Sequence, residues 1–231
     1  MEGTDIISIS MKQQALSNLP KMLSVIRREV KVWKQPIVGT FAEGEHALFK
    51  ILVSTLLSLR TQDKTTEAAS HRLFAVAQTP QELLKLSESQ IEKLIYPVGF
   101  YRTKAKNLRK VCQLLIERHG GMVPETLEQL LELPGVGRKT ANLVVTVGHK
   151  KPGICVDTHV HRISNRWGLV KTQTPDETEM ALRKILPKRY WIEYNDLLVC
   201  YGQNLCQPVS PHCSRCKIRQ YCPRLGVKQS R

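Results

Sequence analysis

The sequence has 231 residues, and its 35 lysine and arginine side chains outnumber its 20 aspartate and glutamate side chains, for a formal net charge of +15. This length is enough for one large domain or two modest ones, and 42% hydrophobic with 24% charged residues is typical of a globular protein and not of a disordered tail. The longest apolar stretch, Ile51 to Leu59, is interrupted by serines and is too short to span a membrane. The first ten residues lack the basic and apolar regions of a secretory signal, so we expect a protein that is not secreted.

The positive charge is concentrated in two segments, Lys93 to Ile116 and Leu197 to Arg231, each with six basic residues and no acidic one. Charge runs are usually solvated helix faces, and that is the alternative interpretation. Two such segments far apart in the chain favour a folded basic surface that binds a polyanion. Nucleic acid is the first candidate partner and an acidic membrane surface is the second.

In chain order the sequence indicates a series of short helices. Thr79 and Thr174 each precede a proline and lie three residues before a glutamate, which is a helix-start pattern, and Ser87 to Gln90 is a capping box. Apolar residues recur every three or four positions between these signals, and no segment shows the alternation of a strand. We therefore predict an all-α protein with a flexible segment at residues 1–11. The predicted helices lie at about 15–33, 44–60, 63–77, 80–86, 88–96, 102–119, 126–132, 138–148, 156–167, 176–186 and 190–204.

A glycine hairpin, Leu133 to Ala141, separates two of these helices. Its glycines allow a tight reversal, and the positive end of the next helix favours an anion such as a DNA phosphate. A plain helix–helix turn capped by glycine is the alternative. The leading Leu-Pro and the Arg-Lys-Thr at the helix start favour DNA contact. The predicted DNA-contacting residues are Gly135, Val136, Gly137, Arg138 and Thr140.

The hairpin resembles the helix-hairpin-helix of the endonuclease III family of DNA glycosylases, in which a glycine/proline-rich loop and an aspartate follow it. Here Asp157 lies within Val156 to Val160, and further matches are Leu56 to Ser58 with Asp63 and Val98 to Tyr101 with Lys104. The likeness runs from about residue 45 to Cys222. It implies two helical lobes with a cleft between them. One is a six-helix barrel domain with the helix-hairpin-helix at residues 41–151, and the other is a discontinuous iron–sulfur cluster domain at residues 12–40 and 152–231.

The resemblance also implies the two catalytic residues, Lys139 and Asp157. A lysine at a helix start opposes the helix dipole, and partial desolvation among other cations would favour the nucleophilic amine. From composition alone Lys139 would be a phosphate contact, but bifunctional members of the family carry the attacking lysine at this position. Asp157 alone would be read as a helix cap. By resemblance it assists departure of the base, stabilises the cationic sugar or relays a proton.

Seven cysteines without an export signal disfavour a disulfide framework. Four of them, Cys206, Cys213, Cys216 and Cys222, are separated by six, two and five residues, and their chemistry alone leaves zinc and an iron–sulfur cluster open. The resemblance implies that these four bind a [4Fe-4S] cluster. The other three, Cys112, Cys155 and Cys200, have apolar neighbours and are predicted to be buried.

The family likeness implies two loops that contact DNA near the lesion. In the loop Leu59 to Gln62, either Arg60 or Gln62 would enter the base stack, and Phe100 would wedge between bases from the second loop. The alternative for Phe100 is a core aromatic beside Tyr101. The segment Gln207 to His212 lacks lysine and arginine, in contrast to many bacterial relatives, so Arg215, Lys217 and Arg219 are the predicted replacements for its DNA contacts.

These expectations combine into one function. The resemblance implies a monomeric base-excision-repair enzyme, a bifunctional DNA glycosylase with AP-lyase activity that removes oxidised or saturated pyrimidines such as thymine glycol from duplex DNA. Its location would be cytoplasmic, at the nucleoid in a prokaryote. The alternatives are a mismatch-specific adenine or thymine glycosylase, against which Lys139 argues, and a non-catalytic DNA-binding module. A membrane-surface protein would explain neither the hairpin nor the cysteines.

Overall fold

The computed structural model describes residues 2–33, 41 and 44–231, with side chains from residue 10 onward. Throughout this part of the chain the regular structure is helical and no strand occurs, which confirms the all-α prediction. No helix among these residues is long and apolar enough to cross a membrane. The α-helices are α1 (Glu2–Val30), α2 (Ala47–Ser58), α3 (Asp63–Phe74), α4 (Pro80–Lys85), α5 (Glu88–Ile95), α6 (Tyr101–His119), α7 (Leu127–Leu131), α8 (Arg138–Leu143), α9 (Thr158–Arg166), α10 (Pro175–Ile185) and α11 (Trp191–Asn204).

The chain divides into two compact units, Pro36–Gly153 and a discontinuous unit formed by Met1–Gln35 with Ile154–Arg231. The sequence-derived domain boundary between residues 40 and 41 adjoins residues outside the described ranges. The first unit holds α2 to α8, and the second holds α1 and α9 to α11.

Helix α2 is the centre of the first unit. Every residue from Ile51 to Leu57 is buried, which is typical of a helix surrounded by others. It packs against α3, α6 and α8, and against a π-helical turn at Val144–Gly148 that continues α8. The packing of these α2 side chains therefore fixes the positions of α6 and of α8, the helix that follows the glycine hairpin.

In the second unit, α11 packs against α1 and α9. The core contains the fully buried aromatic residues Trp167, Tyr194 and Tyr201, and the apolar face of α1 from Ala15 to Val30. Within the described residues of this unit, the remaining regular structure consists of three short 3₁₀ turns, Lys188–Tyr190, Cys213–Arg215 and Arg219–Tyr221.

The observed helices agree with the predicted ones except at their ends. Helix α1 begins at Glu2 and not near residue 15, so described residues predicted to be flexible are helical. The apolar stripe marks only the part of a helix that packs against the core. Once a helix is nucleated, each further residue adds a hydrogen bond without a new nucleation cost, so a helix extends past its stripe.

Candidate active site and cysteine pocket

The glycine hairpin joins α7 to α8 in the first unit. Leu133 and Val136 are buried and anchor it, and the Val136 N–H donates to the Leu133 carbonyl at 3.0 Å. Gly135 has φ +80°, a conformation that L side chains rarely adopt, and an added Cβ would lie 3.1 Å from the Asn107 amide nitrogen. The reversal therefore requires glycine at this position.

Gly137 is the N-cap of α8, and its lack of a side chain has a different consequence. Its backbone is extended, with φ −94° and ψ 176°, and an added Cβ would meet nothing within 4 Å. Folding therefore does not need glycine here. The open space leaves the backbone accessible to a molecule from solution, as a DNA phosphate contact requires.

The predicted DNA-contacting residues of the hairpin differ in exposure. Gly135 and Gly137 are exposed and Arg138 is half-buried, whereas Val136 and Thr140 are buried. The burial of Val136 and Thr140 therefore does not support the predicted contact of their side chains with DNA. Lys139, the second residue of α8, is exposed. The partial desolvation expected of its amine is therefore not provided by packing around the hairpin, and bound DNA would have to supply it.

Asp157 lies in the second unit, where it is the N-cap of α9. Its Oδ1 accepts hydrogen bonds from the backbone N–H groups of His159, at 2.8 Å, and Val160, at 2.9 Å. The side chain is 8% exposed. The preceding segment is held by Asn195, whose amide donates to the Cys155 carbonyl at 3.2 Å. The cap fixes the orientation of the carboxylate through Oδ1.

The four C-terminal cysteines line one pocket in the second unit. Apolar side chains of Trp167, Leu205 and Ile218 complete its walls. Two hydrogen bonds point at the sulfurs: the Tyr201 hydroxyl lies 3.1 Å from Cys216 Sγ, and Arg166 Nη1 donates to Cys206 Sγ at 3.2 Å. Among the described residues, no group of three or more His, Cys, Asp and Glu side chains is arranged to hold a single metal ion.

The electrostatics of this pocket favour a positively charged group between the sulfurs. Burial, with a smaller contribution from the neighbouring sulfurs, raises the pKa of the Cys222 thiol to about 12. Burial also raises the pKa of Cys216. Thiolates crowded in this way need positive charge between them, as iron provides in a cluster. Donors such as Tyr201 and Arg166 are the groups that commonly surround metal-bound sulfur.

The remaining cysteines are structural. Cys112, Cys155 and Cys200 are at most 1% exposed, which confirms the prediction that they are buried. Burial raises the pKa of the Cys112 thiol to about 12, so this group stays protonated near neutral pH.

Two arginines near the cysteine pocket were missed by sequence reasoning. Arg166 is 7% exposed and donates to the carbonyls of Gln207, at 2.7 Å, and Pro208, at 2.8 Å. Arg231 Nε donates to the Ser210 carbonyl at 3.1 Å. Both therefore hold the segment between Cys206 and Cys213. Of the three predicted replacements, Arg215 and Arg219 are exposed, and the exposed Lys217 lies 3.4 Å from Glu29.

The two loops predicted to enter the base stack adjoin each other in the first unit. Arg60, Gln62 and Phe100 are all exposed. Phe100 is 63% exposed, so its alternative interpretation as a core aromatic is wrong. The Arg60 guanidinium lies 5.6 Å from the centre of the Phe100 ring. Gln62 is the N-cap of α3 and makes no side-chain capping bond.

Comparison with known proteins identifies this fold and hairpin as those of DNA repair proteins. The HhH-GPD superfamily base excision DNA repair protein model matches residues 53–188. Endonuclease III of Thermotoga maritima is 52% identical over 174 residues, which are 75% of this chain and 82% of that protein.

Two solved structures share the fold. A trapped endonuclease III–DNA covalent intermediate superposes with a TM-score of 0.80 and 31% identity, over 90% of this chain and 96% of that one. A thermostable thymine-DNA glycosylase shares the fold with a TM-score of 0.69 at 22% identity, over 96% of this chain and 97% of that one. The chain belongs to the endonuclease III family, whose members are base-excision-repair DNA glycosylases with AP-lyase activity.

Proposed function

We propose that this protein binds damaged duplex DNA as a monomer and acts there as a bifunctional glycosylase and AP lyase on oxidised or saturated pyrimidines such as thymine glycol. One observation carries the proposal: in a chain of the endonuclease III family, an exposed lysine, Lys139, stands on the first turn after a glycine hairpin whose N-cap is open to solvent. In a prokaryote it would work in the cytoplasm, at the nucleoid.

The reaction begins when the damaged nucleotide leaves the stack, which costs least for a base that already pairs or stacks poorly. The neutral Lys139 amine attacks C1′ of the sugar, and the bond from C1′ to the base breaks, so that the base departs with the bonding electron pair. One proton of the attacking nitrogen neutralises the departing base, the other moves to the ring oxygen O4′ as the C1′–O4′ bond breaks, and a Schiff base then joins Nζ to C1′. Loss of a proton from C2′ then expels the 3′ phosphate by β-elimination and nicks the strand.

Asp157 would serve this sequence as a fixed, ionised carboxylate. A negative charge beside the sugar stabilises the cation that develops as the base leaves, and the same group accepts a proton during attack by the lysine. The capping bonds to His159 and Val160 support this role, because they hold the carboxylate in one orientation before substrate binds.

Cys206, Cys213, Cys216 and Cys222 would hold a [4Fe-4S] cluster. The four sulfurs line a common pocket, and their spacing of six, two and five residues is the one that the endonuclease III family uses for such a cluster, which favours a cluster over zinc. When bound, the cluster supplies positive charge and cross-links the C-terminal segment. Tyr201 and Arg166 would donate hydrogen bonds to two of its ligands.

Borohydride trapping tests the nucleophile. Wild-type protein and the Lys139→Ala variant are incubated with labelled duplexes that carry one thymine glycol, one dihydrouracil, one abasic site or one mismatch. We expect a covalent adduct and a nick without alkali for the wild type, and neither for Lys139→Ala. The exposed Lys85, outside the site, provides a matched control as Lys85→Ala, which should trap normally.

The same experiment separates the alternative functions. Base release that leaves an alkali-sensitive site at a mismatch, without trapping, would indicate a monofunctional mismatch glycosylase. Binding without any product would indicate a non-catalytic module. Trapping that persists in Lys139→Ala would exclude Lys139 as the nucleophile. Metal analysis of the same preparation should give about four irons per chain and not about one zinc.

A further inference from the structure

The two exposed tips in the first unit are joined by a hydrogen bond and by a close approach of their backbones. The Gly99 N–H donates to Thr61 Oγ1 at 3.1 Å. A Cβ added at Gly99 would lie 2.5 Å from the Arg60 carbonyl oxygen, so the two backbones approach more closely than any side chain allows. The segment before α3 and the segment before α6 therefore form one surface feature, which we call the Arg60–Phe100 pair.

Both members of the pair have a strained backbone. Arg60 has φ +53° and Phe100 has φ +57°, in the left-handed region that non-glycine residues avoid. Such conformations persist only where surrounding structure enforces them, and they are common at ligand-binding positions. Neither side chain gains burial from this conformation, since both are exposed. Interactions beneath the pair must therefore hold it in place.

Lys104 provides those interactions. It lies on the first turn of α6 and is 9% exposed. Its ammonium donates to the carbonyls of Leu57, at 2.7 Å, and Leu59, at 2.6 Å, and to Thr61 Oγ1 at 3.1 Å. Three acceptors match the three N–H donors of an ammonium.

The position of this ammonium is costly for the fold. None of its three acceptors is a carboxylate, and burial lowers the pKa of Lys104 to about 8. A partial compensation is that the carbonyls of the last turn of α2 form the negative end of that helix, which attracts a cation. An apolar side chain in the stripe formed with Leu108 and Val111 would avoid the cost of burying a charge.

We propose that Lys104 is a positioning residue for opening the duplex: its ammonium fastens the end of α2 to the start of α6 and so holds the Arg60–Phe100 pair ready to enter the base stack. This inference rests on the proposed function, since it assumes a base that must be extruded. A pair that is already ordered enters the stack without an ordering cost on binding. Thr61 Oγ1 contributes to the same function because it accepts bonds from both Lys104 and Gly99.

The test compares two substrates that differ in the need for extrusion. Thymine glycol in a duplex must be unstacked before its base is released, whereas a preformed abasic site has no base to remove from the stack. For Lys104→Met and for the milder Thr61→Val, kcat/KM for base release should fall about 10- to 100-fold, because misplacement of a group by about 1 Å costs on that order. Nicking of the preformed abasic site should change by less than about threefold. The control Lys85→Met removes one exposed charge outside the site and should match the wild type on both substrates.

A double-variant cycle distinguishes positioning from general destabilisation. If Lys104 acts through the pair, Lys104→Met should add little to the loss already caused by Phe100→Ala. Equal losses on both substrates, additive losses in the cycle or wild-type behaviour of the variants would each overturn the proposal. If Lys104→Met does not fold in a thermal melt, the same outcomes for Thr61→Val decide. A wild-type protein that neither releases base nor nicks would instead overturn the proposed function.

Discussion

Exchanging Asp157 for asparagine and for alanine separates the capping role of this residue from its chemical role. The cap consists of two bonds to one buried oxygen, Oδ1. Asparagine presents an oxygen at the same place and is as good an N-cap as aspartate, so Asp157→Asn loses only the charge at the positive end of α9, about 0.3–1 kcal/mol. Asp157→Ala loses both bonds, about 2 kcal/mol at a buried cap, which lowers Tm by roughly 4–8 °C in a chain of this size.

The rates of the two Asp157 variants should not follow the order of their stabilities. Both variants remove the carboxylate that is proposed to stabilise the developing cation or to accept a proton, so both should slow base release by about 10²- to 10⁴-fold. Thr174→Ala is the matched control, because Thr174 caps α10 through a bond from the Glu177 N–H at 3.2 Å and lies outside the proposed chemistry. It should lose about 1 kcal/mol of stability and keep the wild-type rate.

The assay pairs single-turnover base release at saturating enzyme with thermal unfolding of each variant. A stable Asp157→Asn variant with a wild-type rate would refute the catalytic role. The catalytic role would also be refuted if the rate of base release fell in proportion to Tm across Asp157→Asn, Asp157→Ala and Thr174→Ala. Asp157 would then act only as a helix cap.

Three further predictions concern packing, charge and metal. Gly99→Ala places a Cβ 2.5 Å from a backbone oxygen, so it should cost about 1–3 kcal/mol in a urea melt, and a neutral result would contradict the close approach. Burial raises the pKa of Asp196 to about 6, above its unfolded value near 3.9. Ionisation of this carboxyl therefore destabilises the folded protein, and this destabilisation is absent below about pH 4 and fully present above about pH 6. Asp196→Asn should therefore gain about 2–3 kcal/mol at pH 7.5 and less at pH 5, whereas an equal gain at both pH values would exclude this cause. Cys216→Ala should lower iron content and Tm together, and full iron retention would remove Cys216 from the ligand set.

Local signals predicted most of the helices because their causes are local. The Thr79, Ser87 and Thr174 side chains accept the bonds that their capping patterns predict, from Glu82, Gln90 and Glu177. The glycine hairpin has the same character, since the left-handed backbone at Gly135 is a property of the turn itself. Such features depend on residues three or four positions apart, which the sequence displays directly.

Lys104 shows where this reasoning stops. Its position in an apolar stripe, four residues before Leu108, was the available signal, but a lysine at a helix start is ordinarily read as exposed. Its acceptors on Leu57 and Leu59 lie 47 and 45 residues away in the chain. No local pattern connects them.

The amino-acid sequence alone determined the helical class, the hairpin that offers its backbone to an anion, and a set of four cysteines spaced to share a metal group. Those properties depend on the conformations of short segments and on the chemistry of individual side chains. Only the tertiary structure decided that Phe100 is exposed, that Lys104 is buried beneath it, and that Arg166 and Arg231 hold the segment between Cys206 and Cys213. Burial and long-range hydrogen bonds are set by which distant segments pack together, and that information is spread over the whole chain.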